Sequence, residues 1–429
     1  LATALDKIKA KLQGRYGDLS VMTPSDMVDK GVVSSGSLAI DYMVSSKRGF
    51  GIPRNIVVEI GGKPGCGKST LAMNIISNVL DLEFERAKMY VRLEKSVKTG
   101  AASADDMERF KAAWDRQSDD LHVFDDDSTN MLLDEVELSD SEIDHAIDDV
   151  MRNALYCDIE GRFDQHWAAN FIDHRWLERK LLVTWPDTIE NATTMYVDAL
   201  RTGTFAVAVI DSIGGAPTVK TFDKEAEKAS VGGNAVGVTA FAKYAQNMSN
   251  KFTCLTIGLQ QVRADMEGFR RYITPGGEGW KHACSLRIEL RRSNKEVVYD
   301  DDPGAPETQV VCGFKVHARL HKNSVGLSGR EVAPWFYTMP CKYGDPGFDR
   351  LQDVVNLATL SGVLEKGASG TYRSDILPDG RIRGYDRLIQ YLRDNEDVYN
   401  SLRSQMEDRL LHGGVEGYVS TFDDSELDD

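Results

Sequence analysis

With 429 residues, 41% of them hydrophobic and 28% charged, the chain has the length of two or three globular units and the composition of a soluble protein with a sizeable core. No apolar run approaches the length of a membrane span, and residues 1–12 carry three lysines in a helical pattern, which argues against a signal peptide and for a cytoplasmic chain without membrane contact. Six cysteines (Cys66, Cys157, Cys254, Cys284, Cys312 and Cys341) are scattered without paired spacing; this argues against a zinc site or a disulfide framework and suits a reducing compartment.

The net charge of −16 looks hostile to nucleic acid until it is mapped. Residues 81–150 hold 21 acids against 8 bases, residues 421–429 hold five acids and no base, and the remainder carries about +2. Acidity confined to two segments leaves the rest of the molecule free to carry a basic groove.

In chain order, residues 1–17 predict an amphipathic helix with Leu1, Leu5, Ile8 and Leu12 on one stripe. A polar stretch ends in Ser34-Ser35-Gly36-Ser37-Leu38, residues 55–60 predict a short buried strand, and residues 69–80 a helix. Residues 81–150 break the rhythm. Their apolar residues are too sparse for a core, so they are expected to form an acidic, partly disordered insertion. Residues 154–158, 205–210 and 254–259 are short apolar runs of the kind found in a parallel sheet covered on both faces. Helical patterns between them give an α/β core with right-handed crossovers. After Pro340, helices at 351–364 and 385–408 predict a small α-rich domain, followed by a solvated acidic tail. The expected division is residues 1–34 as oligomerisation helix and linker, 35–80 and 151–345 as core, 81–150 as insertion, 346–415 as C-terminal domain and 416–429 as tail.

The strongest chemical signal is Gly62-Lys63-Pro64-Gly65-Cys66-Gly67-Lys68-Ser69-Thr70, which fits the P-loop pattern between a strand and a helix. Its glycines let backbone N–H groups turn inward around phosphate oxygens, and the helix N-terminus favours the anion. Lys68 can reach the β and γ phosphates of ATP, and the Ser69 hydroxyl can ligate Mg²⁺. A strand ending in Asp211, followed by Ser212, supplies the acid that holds the metal's water shell. Hydrolysis also needs a group that positions water. Two glutamates end plausible strands, Glu94 in Tyr90-Val91-Arg92-Leu93-Glu94 and Glu160 in Tyr156-Cys157-Asp158-Ile159-Glu160, and physics alone ranks them equal.

Taken together these segments resemble the RecA family of bacterial and phage recombinases, over nearly the whole chain once residues 81–150 are set aside. The stretch through Ser34-Ser35-Gly36-Ser37-Leu38-Ala39-Ile40-Asp41 resembles the family's polymerisation helix and its lead into the core. Cys157-Asp158-Ile159-Glu160-Gly161-Arg162-Phe163-Asp164, with Leu181-Leu182-Val183-Thr184-Trp185-Pro186-Asp187-Thr188 downstream, resembles the strand ending in the catalytic glutamate. The resemblance therefore assigns catalysis to Glu160 rather than Glu94. It implies that Asp164 and Trp167 contact adenine, that Gln261 senses the γ phosphate, and that Lys281 and Lys322 reach ATP on a neighbouring subunit. Tyr343, in Tyr343-Gly344, falls in a turn near the nucleotide.

A second DNA loop is implied between Arg263 and Lys281, with Gly276-Gly277 at its end. It offers Arg263, Arg270, Arg271 and Lys281 to phosphates, with Phe269, Tyr272 and Ile273 interleaved for unpaired bases. A first DNA loop corresponds to residues 223–233. The sequence departs from the family at Ser324, where a second lysine is expected, at His282, in place of an aromatic, and in a shortened second loop. The insertion hints at a phage-encoded or otherwise divergent relative. The resemblance implies an ATP- and Mg²⁺-dependent recombinase that forms filaments on single-stranded DNA and exchanges strands with double-stranded DNA, served by a recombination mediator or single-strand-binding protein. Its rivals are a hexameric RecA-fold motor and a DNA-coating protein that hardly hydrolyses ATP.

Overall fold

The computed structural model describes residues 4–16, 30–46, 49–115, 136–219, 234–264, 272–273 and 277–412. Helix α1 (Ala4–Tyr16) comes first, and α2 (Leu38–Val44) follows, capped by the Ser37 hydroxyl. The core begins with β1 (Val57–Gly62), buried along its whole length, and α3 (Lys68–Thr99). Next come α4 (Ala104–Asp115), α5 (Asp140–His145) and a π-helical turn at Ala146–Val150. The alternating part then runs β2 (Asn153–Asp158), α6 (Gln165–Ala168), α7 (His174–Arg179), β3 (Leu181–Thr184), α8 (Ile189–Arg201), β4 (Phe205–Asp211), α9 (Asn234–Lys251) and β5 (Leu255–Gln261). Helix α10 (Gly277–Ala283) leads into the long hairpin of β6 (Leu286–Asp302) and β7 (Ala305–Asn323), and β8 (Trp335–Tyr337) and β9 (Gly347–Phe348) close the sheet.

Across the sheet the order is β9-β8-β7-β6-β1-β5-β4-β2-β3. Every pair from β6 through β1 to β3 is parallel, and β7, β8 and β9 add an antiparallel flank. The apolar runs read from the sequence are these strands: 55–60 is β1, 154–158 is β2, 205–210 is β4 and 254–259 is β5. Parallel strands need both faces covered. Two buried clusters do this, one around Ile60, Leu71, Ile75 and Val209, the other around Val57, Ile210, Phe241 and Trp280.

The acidic segment differs from its expectation at both described ends. Helix α3 does not stop near residue 80. It runs on through residue 99, 32 residues and about 48 Å in all, ending at a left-handed Gly100. The predicted strand at 90–94 is therefore the middle of a helix. Its extension is held by charge as much as by apolar packing. The fully buried Glu83 carboxylate takes Arg54 at 2.6 Å and Arg152 at 2.7 and 2.9 Å. Burial opposes that charge, but Arg152, Arg54 and Arg86 outweigh it and hold Glu83 well below the ordinary carboxylate range. Helix α4 packs back through Leu93 and Phe110, with Tyr90 and Trp114 beside them. Three acids of 140–149 are paired with bases: Lys95 reaches Glu142 at 2.9 Å, and Arg179 reaches Asp144 and Asp148 at 2.9 and 2.7 Å. Residues 116–135 and the tail lie outside the described residues.

The C-terminal unit packs α11 (Arg350–Ser361), α12 (Tyr385–Asp394) and α13 (Glu396–His412) with a three-stranded sheet. The sequence reads 385–408 as one helix; it is two, divided at Asn395. This unit shares an apolar cluster with Leu38, Tyr42 and Phe50. At that seam the buried Asp353 carboxylate accepts the Ser37 hydroxyl at 2.7 Å and the Ala39 N–H at 3.1 Å. Among the described residues no helix is long and apolar enough to cross a membrane.

Candidate nucleotide-binding site

In an open α/β sheet, ligands bind beyond the carboxyl ends of the strands. Here the ends of β1, β5, β4 and β2 lie side by side, and each delivers a candidate residue. Gly62 pairs with Gln261, and Asp158 with Asp211. From β1 the loop turns at Gly65 and Gly67, both at positive φ, into the N-terminus of α3. Gly62 is required for space: a Cβ there would meet the Leu290 carbonyl oxygen at 2.4 Å and the Cys66 sulfur at 2.5 Å. Lys63, Pro64 and Gly65 are exposed, while Cys66 is buried beneath them. The Lys68 ammonium folds back to donate to the Gly62 and Lys63 carbonyls at 3.0 and 2.9 Å.

Ser69 Oγ donates to Asp211 Oδ2 at 3.4 Å, and the Tyr156 hydroxyl donates to the same oxygen at 2.7 Å. Burial pushes the Asp211 carboxyl upward, and Glu160 and Asp158 add to the push against the Tyr156 hydrogen bond and Lys68. Asp158 Oδ2 accepts the Phe163 N–H at 2.8 Å, while its buried Oδ1 has no hydrogen-bond partner. Asp211 beside the Ser69 hydroxyl, with the charges of Asp158 and Glu160 acting on it and an orphaned buried oxygen on Asp158, fits a divalent cation: Ser69 and Asp211 would hold Mg²⁺.

Glu160 stands at the centre of a small network. Its Oε1 accepts the Ser212 hydroxyl in a short bond, the Gln261 amide donates to both its oxygens at 3.0 Å, and Arg162 lies 3.2 Å from Oε2. Glu94, the rival, lies on α3 with His145 as its ionic partner at 3.4 Å. Sequence reading missed the roles of Ser212 and Tyr156. Each stands next to a residue it singled out, but only the side-by-side placement of β2 and β4 reveals the bond.

The Trp167 indole N–H donates to Thr70 Oγ1 at 3.1 Å, so this half-buried ring stands beside the start of α3. Asp164 caps α6, its Oδ1 accepting the His166 and Trp167 N–H groups. Phe336 on β8 lies about 3.9 Å from a Cβ built on Gly67, and the Tyr343 ring stacks on Tyr337 with centroids 6.1 Å apart. Lys281 and Lys322 are elsewhere. Lys322 pairs with Arg287, which pairs with Glu59, about 10 Å back along β1 from the P-loop. Its ammonium donates to the Lys281 and His282 carbonyls at 3.2 and 3.0 Å, while Lys281 reaches Glu278 at 2.7 Å. Neither lysine joins the nucleotide site of its own chain. Beyond β5, Arg263 and Ala264 pair with Ile273 and Tyr272 as a short antiparallel ribbon. Gly277 opens α10 at positive φ. Arg270, Arg271, Gly276 and the loop at 223–233 lie outside the described residues, as does the side chain of Arg263.

The sheet order and the P-loop constellation define an α/β core of the RecA type. Residues 143–331 match the family model described as the RecA N-terminal domain. Similarity to curated relatives extends further. Protein RecA of Rippkaea orientalis is 25% identical over 99% of this chain and 96% of its own length. Protein RecA of Thermus aquaticus is 24% identical over 95% and 94%, and that of Bacillus subtilis 23% over 96% and 94%. The chain is thus similar to RecA proteins along nearly its whole length, and to the RecA N-terminal domain over residues 143–331.

Proposed function

We propose that the chain is a DNA-dependent ATPase that forms a helical filament on single-stranded DNA and catalyses homologous pairing and strand exchange with duplex DNA. The observation that carries this reading is the bond between Gln261 and Glu160 at the end of β5, directly ahead of the ribbon that frames the second DNA loop. Lys68 and the P-loop N–H groups bind the ATP phosphates. Ser69 and Asp211 hold Mg²⁺, which when bound neutralises charge developing on the transferred phosphoryl group. Glu160 orients the attacking water and accepts its proton. The Gln261 amide can donate to Glu160 or to a γ phosphate, so nucleotide state is passed to the loop that follows β5.

Two features support assembly. Ile8 and Leu12 on α1 are 56% and 38% exposed, an apolar stripe suited to a neighbouring copy. Lys281 and Lys322 are remote from their own P-loop, which leaves them available to a neighbouring copy's nucleotide in this reading. Base pairing then supplies sequence readout while the protein grips the backbone. The test is ATP turnover with and without single-stranded DNA over a salt series. Turnover should rise with DNA, and the stimulation should fall as salt increases. Turnover that ignores DNA at every salt concentration contradicts the reading.

A further inference from the structure

Scattered in sequence, two of the six cysteines meet in space. Asp300 on β6, Cys312 on β7 and Cys341 in the turn after β8 each offer a donor atom, and these atoms all lie within 4.8 Å of one another. The strand register brings them together. Asp300 pairs with Val310 on β7, Gly313 pairs with Tyr337 on β8, and the Thr338 N–H donates to the Cys312 carbonyl at 2.8 Å. The turn then closes on itself through Cys341 and Gly344, whose backbones exchange hydrogen bonds of 2.9 and 3.1 Å.

Two sulfurs and one carboxylate make a donor set that thiophilic divalent cations favour and Mg²⁺ or Ca²⁺ does not. Tetrahedral zinc, with Zn–S about 2.3 Å and Zn–O about 2.0–2.2 Å, holds its ligand atoms roughly 3.4–3.8 Å apart. Closing the present triangle therefore needs side-chain adjustments of about 1 Å or less. The carboxylate is already oriented: Lys342 N–H donates to Asp300 Oδ2 at 2.7 Å and Asp301 N–H to Oδ1 at 3.0 Å. Such outer hydrogen bonds fix a ligating carboxylate. The thiols face backbone carbonyls, Cys312 that of Val298 and Cys341 that of Gly344, each at 3.5 Å. The exposed Lys342 ammonium, 3.6 Å from Asp300 Oδ1, supplies positive charge there and can swing out when a cation takes its place. Asp300 and Cys341 are half-buried, which leaves the fourth position of a tetrahedron open to water.

We propose that Asp300, Cys312 and Cys341 form a site for a thiophilic divalent cation of the zinc type, outside the nucleotide site. A cation there would tie the β6–β7 hairpin to the turn that carries Tyr343. The remaining cysteines (Cys66, Cys157, Cys254 and Cys284) are buried elsewhere.

The test uses the full chain, reduced and freed of metal, titrated with Co²⁺ under argon. The expected result is one Co²⁺ per chain, with thiolate-to-cobalt charge-transfer absorption and the visible bands of tetrahedral cobalt, displaced by Zn²⁺. Cys341→Ser, at a half-buried position that should tolerate it, should lose most of the charge-transfer intensity. Asp300→Asn should keep the thiolate absorption but bind about 10-fold or more weakly. An absence of charge-transfer absorption at saturating Co²⁺ overturns the proposal. So does undiminished absorption in Cys341→Ser with unchanged circular dichroism, which would place the ligands among the other cysteines. A reduced protein that reforms a Cys312–Cys341 disulfide and takes up no Co²⁺ also overturns it, in favour of a redox pair.

Discussion

Glu160 and Glu94 differ in what surrounds them, and the proposed catalytic role rests on that difference. Glu160 lies beyond β2, bonded by Ser212 and Gln261 beside Asp211, while Glu94 projects from a helix toward His145. Glu160→Gln keeps an oxygen to accept the Ser212 hydroxyl but loses the proton acceptor. Turnover should fall about 10²–10⁴-fold, with ATP affinity within a few-fold of the parent. Glu94→Gln should change neither quantity. Steady-state turnover alongside equilibrium nucleotide binding checks both, and the reverse pattern would move the proposed catalytic base to Glu94. The P-loop was legible from its spacing between a strand and a helix and Asp211 as an acid ending an apolar run, whereas Gln261 came only through the family resemblance. Ser212, Tyr156 and the Cys312–Cys341 meeting were not legible, because each depends on which strands lie side by side.

Helix α3 shows where composition misleads. From Glu83 onward it carries Arg86, Arg92, Glu94 and Lys95 among few apolar residues, and reads as part of a solvated, charged segment. The periodic burial is nevertheless present, at Glu83, Arg86, Ala87, Val91 and Leu93. It is hard to see in sequence because Glu83, neutralised by Arg54 and Arg152, and its neighbour Arg86 occupy inward positions that apolar residues usually fill. Burying a carboxylate this deeply is tolerable only with such partners. Phe110, fully buried against Leu93, is the apolar anchor of α4. Phe110→Ala should cost about 3–5 kcal/mol locally and release α4 from α3. Amide exchange across residues 104–115 should quicken, while nucleotide binding stays unchanged. Unaltered exchange there would mean that α4 is held by something other than this contact. The core strands, by contrast, were legible as short uninterrupted apolar runs, the pattern a doubly covered parallel sheet imposes.

At the scale of the whole molecule, the C-terminal unit is joined to the core through a carboxylate that prefers to be neutral. Burial raises Asp353 to about 7, and the hydrogen bonds from Ser37 and Ala39 only partly offset it. A raised folded-state pKa means stability that is fully present below the unfolded carboxylate value, about 3.9, and lost as pH rises through about 7. Asp353→Asn, which keeps an acceptor oxygen without the charge, should therefore gain melting temperature relative to the parent as pH is raised from 4 to 8. A constant difference across that range would contradict the assignment. The central claim, however, concerns assembly. The α1 stripe, Lys281 and Lys322 distant from their own P-loop, and the ribbon after Gln261 all make sense in a filament with nucleotide between neighbouring copies. Electron microscopy of the chain on single-stranded DNA with a slowly hydrolysed ATP analogue tests this most directly. Continuous helical filaments that disassemble when the analogue is replaced by ADP are the predicted result; closed rings, or DNA left bare, would contradict it.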